Sequence, residues 1–295
     1  MRWVGATAVG LMLLSACGTS PDVTASRTIP VVAAENFWGS LASQLGGSKV
    51  SVQSIVTDPN ADPHEYETSI ADARAFADAR LVILNGAGYD GWGQKLLDAN
   101  PSSARRVMNV AGMLGKKEGD NPHFWYGPDY VKQVVDRITA ELHTIDAADG
   151  AYFDAQHSTL QSALQPYFDE VAAIKQKHAG TAIGSTESIF VYMAGAAGLD
   201  LTTPPEFMNA VAEGNDPPAS AVAQFQDQIA GRHIKVLVYN TQTTTAVTTN
   251  VKSLAASRGI PSVGVSETVQ PPGLAFQDWQ LGQLQRLESA LDTAG

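Results

Sequence analysis

Short β-branched runs alternate with longer stretches of helical spacing along most of this chain. The apolar runs at 29–34, 50–56, 81–85 and 106–110 are bounded by polar residues or glycine and read as strands. Helices are predicted between them at 37–45, 70–79 and 92–98. The segment 130–145 puts Val131, Val134, Val135, Ile138 and Leu142 on one helical face. The second half repeats the pattern, with strands predicted at 181–184, 234–239 and 262–265 and helices at 190–197, 220–229, 244–258 and 279–291. Between the halves, 151–177 reads as one long helix with apolar positions at Leu160, Leu164, Phe168, Val171 and Ile174. Pro166 lies inside it, so a kink or a break is expected there. This alternation predicts an α/β fold: two βα lobes with mostly parallel sheets, joined by one long helix. The expected boundaries are 29–148 for the first lobe, 149–179 for the joining helix and 180–295 for the second lobe. A cleft between the lobes, outside the carboxyl ends of the strands, is the default ligand site.

The first residues break this pattern. A single positive charge, Arg2, precedes an uncharged apolar run from Trp3 to Leu14, which ends at Leu14-Ser15-Ala16-Cys17. The run is too short to span a bilayer comfortably and suits the apolar core of a secretion signal covering 1–16. The tetrapeptide resembles the bacterial lipobox, and that resemblance implies a lipid on Cys17 as the first mature residue. One acyl chain binds membranes only marginally, so stable anchoring takes more than one chain on this cysteine. Residues 17–28, rich in Gly, Ser, Thr, Pro and Asp, form the expected tether from anchor to folded domain. The expected place of work is therefore the outer face of the cell membrane. Cys17 is the only cysteine, so no intrachain disulfide supports the fold.

Composition narrows the partners. Charged residues make up 17% of the chain and apolar ones 44%, which argues for a packed core and against disorder. The formal net charge of −11 argues against nucleic acid, which demands a basic face. It is compatible with cations. No stretch beyond the leader is long and apolar enough for a membrane span.

Two of the six histidines stand out. His64 lies in Asp62-Pro63-His64-Glu65-Tyr66-Glu67, after the second predicted strand. His123 lies in Asn121-Pro122-His123-Phe124-Trp125, before the helix at 130–145. Both follow a proline, whose restricted backbone helps aim an imidazole. His143, His157, His178 and His233 are expected to face solvent. A zinc protease helix needs His-Glu-x-x-His, and Thr68 stands where its second histidine would be. No Gly-x-Ser-x-Gly elbow, phosphate-binding loop or dinucleotide fingerprint is present. The chain therefore reads as a non-enzyme. The rival readings are a metal-dependent hydrolase using Glu65 as base, and an adhesion or scaffold lipoprotein.

Together these segments resemble the metal-binding solute receptors of bacterial ABC importers, which take up zinc, manganese or iron. The likeness runs from about residue 29 to 291, and it also rests on Ser185-Thr186-Glu187-Ser188-Ile189-Phe190-Val191-Tyr192. It implies a metal cleft between the lobes with His64 and His123 as ligands from the first lobe and Glu187 from the second. The family's fourth ligand, usually aspartate, falls at Glu267, with Ser266 or a water as the alternative occupant. The resemblance also implies an ABC permease as partner, a monomeric receptor, and little hinge motion because the long helix restrains the lobes. In that family glutamate at the third position is more typical of manganese or iron receptors than of zinc receptors. Many zinc receptors carry a long histidine-rich loop where 115–120 is short and has none. Manganese is therefore the expected ion, with zinc or iron as alternatives. Imidazole suits all three ions, while added carboxylates favour harder ones.

Overall fold

The computed structural model describes residues 28–60 and 66–294, together with Met1 and Trp3. Cys17, His64 and Glu65 lie outside the described residues. The first lobe contains strands β1 (Ile29–Glu35), β2 (Val50–Val56), β3 (Leu81–Leu84) and β4 (Arg106–Asn109). All pair in parallel, in the order β2-β1-β3-β4. Helices α1 (Asn36–Gly46), α2 (Ile70–Asp78), α3 (Gly91–Ala99), the single turn α4 (Val110–Met113) and α5 (Pro128–Ile145) complete it. Ser69 caps α2 by accepting the Asp72 N–H while the Asp72 carboxylate accepts the Ser69 N–H, a reciprocal pair that defines its start.

Helix α6 (Gly150–His178) then leads to the second lobe. That lobe repeats the strand order as β6-β5-β7-β8, again parallel, from β5 (Ala182–Ser185), β6 (Asp200–Leu201), β7 (Val236–Asn240) and β8 (Ser262–Val265). Its helices are α7 (Val191–Ala196), α8 (Pro205–Ala212), α9 (Ala219–Ala230), α10 (Ala246–Ser257) and α11 (Phe276–Thr293). The short elements α4, β6 and α8 escaped the periodicity reading. Two to eight residues give too little pattern to separate from a loop.

Strand alternation builds the core. Val31, Ala33, Leu81 and Ile83 point into one large cluster, while Val32, Ala34, Val82 and Leu84 point into a separate cluster under α2 and α3. The second lobe does the same: Val236 and Val238 join the large cluster, and Leu237 joins a private one with Phe207 and Phe225. The large cluster therefore belongs to both lobes. Phe37 stacks on Trp125 at 4.0 Å, and Tyr126 meets Phe190 and Trp279 edge-on across the lobe boundary.

The break expected in the joining helix does not occur: α6 runs unbroken through Pro166. Pro166 is exposed, so the hydrogen bond it cannot make is lost on the solvent face of the helix, where the Ser162 carbonyl is easily hydrated. Leu164 and Tyr167 beside it remain buried. Three histidines clamp this helix to its neighbours. His157 and Asp136 meet at 2.8 Å and His143 and Asp154 at 2.9 Å, both against α5, and His178 lies 3.1 Å from Asp292 of α11. They are half-buried rather than fully solvated; His233 is exposed. No helix among the described residues is long and apolar enough to cross a membrane.

Candidate metal centre

The carboxyl ends of both sheets face one another across the lobe boundary, and the loops that leave them carry the chemistry. Glu187 lies two residues beyond β5 and Glu267 two residues beyond β8. His123 comes from the loop after α4, directly before a 3-10 turn over Phe124–Tyr126. Phe124, Trp125 and Tyr126 are all buried, and this aromatic plug fixes the loop. A potential donor atom from each of His123, Glu187 and Glu267 lies within 4.8 Å of the others, and all three residues are fully buried. Three of the four ligands expected from the sequence are thus together; His64 is outside the described residues.

Hydrogen bonds decide how His123 presents itself. Its Nδ1 lies 2.7 Å from Asn121 Oδ1, and its backbone N–H donates to the same oxygen at 3.0 Å. An amide oxygen accepts only, so Nδ1 is the donor of this pair and Nε2 is the nitrogen turned toward the centre. Nε2 faces Glu267 Oε1 at 3.3 Å. In the neutral tautomer with Nδ1–H, an imidazole offers its Nε2 lone pair to a cation, and a carboxylate oxygen beside it is a second donor. Donor bonds of ~2.1 Å would make a 3.3 Å separation subtend roughly 100° at a shared ion, close to tetrahedral. The loop itself is held by Asn85, which follows β3 and donates to the Pro122 carbonyl at 2.9 Å while accepting from Trp38 Nε1 at 3.1 Å.

The carboxylates have their own supports. Tyr89 of the first lobe donates its hydroxyl to Glu267 Oε2 at 2.8 Å. Asn240, the last residue of β7, donates from Nδ2 to Glu187 Oε1 at 2.9 Å and to Glu267 Oε1 at 2.7 Å. Ser266 does not enter the ligand cluster; its hydroxyl donates to the Thr268 carbonyl and accepts from Trp279. Nearby, at the end of β1, burial and the neighbouring charge of Asp90 push the Glu35 carboxyl well above its ordinary range. Burial also raises Asp90, against the opposing N–H donors of Gly86 and Asn85. Burial likewise raises Tyr126, whose hydroxyl lies 2.9 Å from both the Ser266 carbonyl and Gln283 Oε1. A cavity of about 440 Å³ lies beside the centre, lined in part by Tyr89, Asn121, Ser188 and Glu213.

Tyr89, Asn121, Asn85 and Asn240 were not assigned roles from the sequence. A signal existed for three of them. Asn121 stands two residues before its histidine, and the apolar runs ending in Asn85 and Asn240 each terminate on a buried amide. Tyr89 carries no such mark, because its partner lies 178 residues away.

The family described as zinc-uptake complex component A, periplasmic, matches residues 31–290. A manganese-binding lipoprotein of Halalkalibacterium halodurans is 28% identical over 193 residues, covering 62% of this chain and 61% of that protein. An iron-binding protein of Yersinia pestis is 25% identical over 162 residues, covering 52% of this chain and 49% of that one. The chain thus matches between half and six-tenths of the length of these relatives. Among solved structures, the manganese complex of the SBP FpvC from Pseudomonas aeruginosa superposes with a TM-score of 0.75 at 16% identity, covering 91% of this chain and all of that one. A crystal structure of ZnuA gives 0.72 at 20% identity, covering 90% and 99%. At such identities the likeness establishes the fold: two parallel sheets and a long helix.

Proposed function

The chain belongs to the family of the periplasmic zinc-uptake complex component A, and on that premise we propose that it captures a divalent transition metal outside the cytoplasm and delivers it to an ABC permease. The observation that carries this reading is the buried meeting of His123, Glu187 and Glu267 from both lobes, with Nε2 of His123 turned toward a carboxylate. Two carboxylates and neutral imidazole balance a divalent charge in a site closed to water. His64 is the fourth ligand in this reading, and Cys17 the lipid anchor that keeps a monomeric receptor near its permease. No covalent bond is made or broken; binding and release are the whole activity.

Manganese is the favoured ion, with zinc or iron as alternatives. With His64 the donor set is two imidazoles and two carboxylates, and the chain's single cysteine, Cys17, supplies no thiolate to it. That donor set suits harder ions. Intrinsic affinity runs the other way, with zinc above manganese at most such sites. The names of the manganese-binding and iron-binding relatives fit the same range. Metal analysis of the protein purified without added metal tests the proposal, followed by competition between manganese and zinc. About one equivalent of a transition metal is expected; protein that neither carries nor takes up a metal overturns it. Cys17→Ser is expected to abolish lipid labelling, and unaltered labelling refutes the anchor.

A further inference from the structure

The strand order of the second lobe places β7 between β5 and β8, the two strands that lead to Glu187 and Glu267. Asn240 is the last residue of β7 and is 2% exposed, so its side chain stands between the two carboxylates. Its orientation is determined. Oδ1 accepts the Gln242 N–H at 2.9 Å, which forces Nδ2 toward the centre. Nδ2 has two hydrogens and three acceptors within reach: Glu267 Oε1 at 2.7 Å, Glu187 Oε1 at 2.9 Å and Thr243 Oγ1 at 3.1 Å. The shorter contacts go to the carboxylates. The Asn240 backbone N–H also donates to Thr186 Oγ1 at 3.2 Å, tying the strand end to the residue before Glu187.

We propose that Asn240 is a positioning residue for metal capture: its NH₂ group bridges Glu187 and Glu267 and sets their separation. The inference rests on the metal-receptor reading and goes beyond it, since Asn240 is no ligand. Two buried carboxylates repel one another, and at low local dielectric that repulsion is strong. Without a donor between them they would swing apart or draw in water, and an arriving ion would have to reassemble them. The bridging amide supplies partial positive charge between the two carboxylates. It lies on a rigid strand rather than a loop. Being neutral, it does not add to the charge that a divalent ion must balance, as an acid there would. Partners of this kind outside the ligand shell typically tune metal affinity ten- to a hundredfold.

The test uses the full-length chain and three ions: Mn²⁺ and Zn²⁺ for affinity by chelator competition, and Co²⁺ for its visible ligand-field spectrum. Asn240→Ala is expected to weaken Mn²⁺ binding about ten- to a hundredfold and to shift the Co²⁺ bands. A loss of fold alone would not change the spectrum of the ion that still binds. Thr203→Val, which removes a buried acceptor of the Ser185 N–H in the same lobe, controls for general weakening and is expected to leave the spectrum unchanged. Should Asn240→Ala not fold, Asn240→Ser keeps one donor hydrogen for two carboxylates and is expected to show the same shift with a smaller loss. Wild-type protein binding one equivalent, with the folded variant binding within twofold of it and giving an identical spectrum, overturns the proposal. Wild-type protein that binds no ion overturns the functional reading instead.

Discussion

The two lobes share one strand order, yet they support the centre in opposite ways. In each, the strand third in sequence ends at a buried asparagine, Asn85 after β3 and Asn240 on β7. Asn85 acts at a distance: it holds the Pro122 carbonyl, and the loop so fixed delivers His123. Asn240 acts directly, bonding both carboxylates that rise from the flanking strands. The first lobe therefore reaches into the centre with a long loop, and the second with carboxylates two residues beyond its strands. A loop ligand depends on every contact that pins the loop. A strand-end ligand inherits the rigidity of the sheet and needs only its local partners.

That contrast can be broken by experiment. The largest effect is expected from the loop side: His123→Ala should weaken metal binding by roughly a hundredfold or more, beyond what losing an outer partner costs. Isothermal titration against Mn²⁺ or Zn²⁺ measures this, and a loss under tenfold would move the ligand role elsewhere. A smaller effect is expected where the lobes meet. Tyr89→Phe removes one donor to Glu267 while leaving the ring packed against Trp125. Such a bond is worth about 0.5–1.5 kcal/mol, so affinity should fall roughly two- to tenfold. An unchanged value would mean that the strand-end partners alone hold Glu267. The smallest effect separates structure from binding. Burial raises the Glu35 carboxyl well above its ordinary range in the fold and unfolding restores that range, so stability falls as pH rises above it. Glu35→Gln removes that loss. In metal-free protein the variant's advantage in urea unfolding should therefore grow as pH rises above the ordinary carboxylate range; a constant difference would show that burial does not raise the Glu35 carboxyl.

Most of this architecture is legible in residue order because its signals are local. The strands β1, β2 and β8 and the helices α1, α5 and α11 all carry their period within a single window. The exception is instructive. Pro166 reads as a kink or a break; the helix is continuous there, and whether the missing hydrogen bond breaks it depends on which face it occupies, which is a tertiary property. The centre divides along the same line. His123, Glu187 and Glu267 are recognised through motif likeness, and their convergence is a matter of geometry. The bonds from Tyr89 to Glu267 and from Asn240 to both glutamates join residues far apart in the chain, and no period or motif announces them.

The apolar cluster common to both lobes has a thermodynamic consequence. With strands from both sheets, α6 and α11 in one cluster, the lobes have little freedom to unfold separately. An ion bound only by the folded form then stabilises the entire chain at once, by about 2.7 kcal/mol at a concentration a hundred times its dissociation constant. Occupancy would be recorded as global stability rather than as a hinge angle. A loaded and an empty molecule could look nearly alike in outline while differing about a hundredfold in how often they open to a protease.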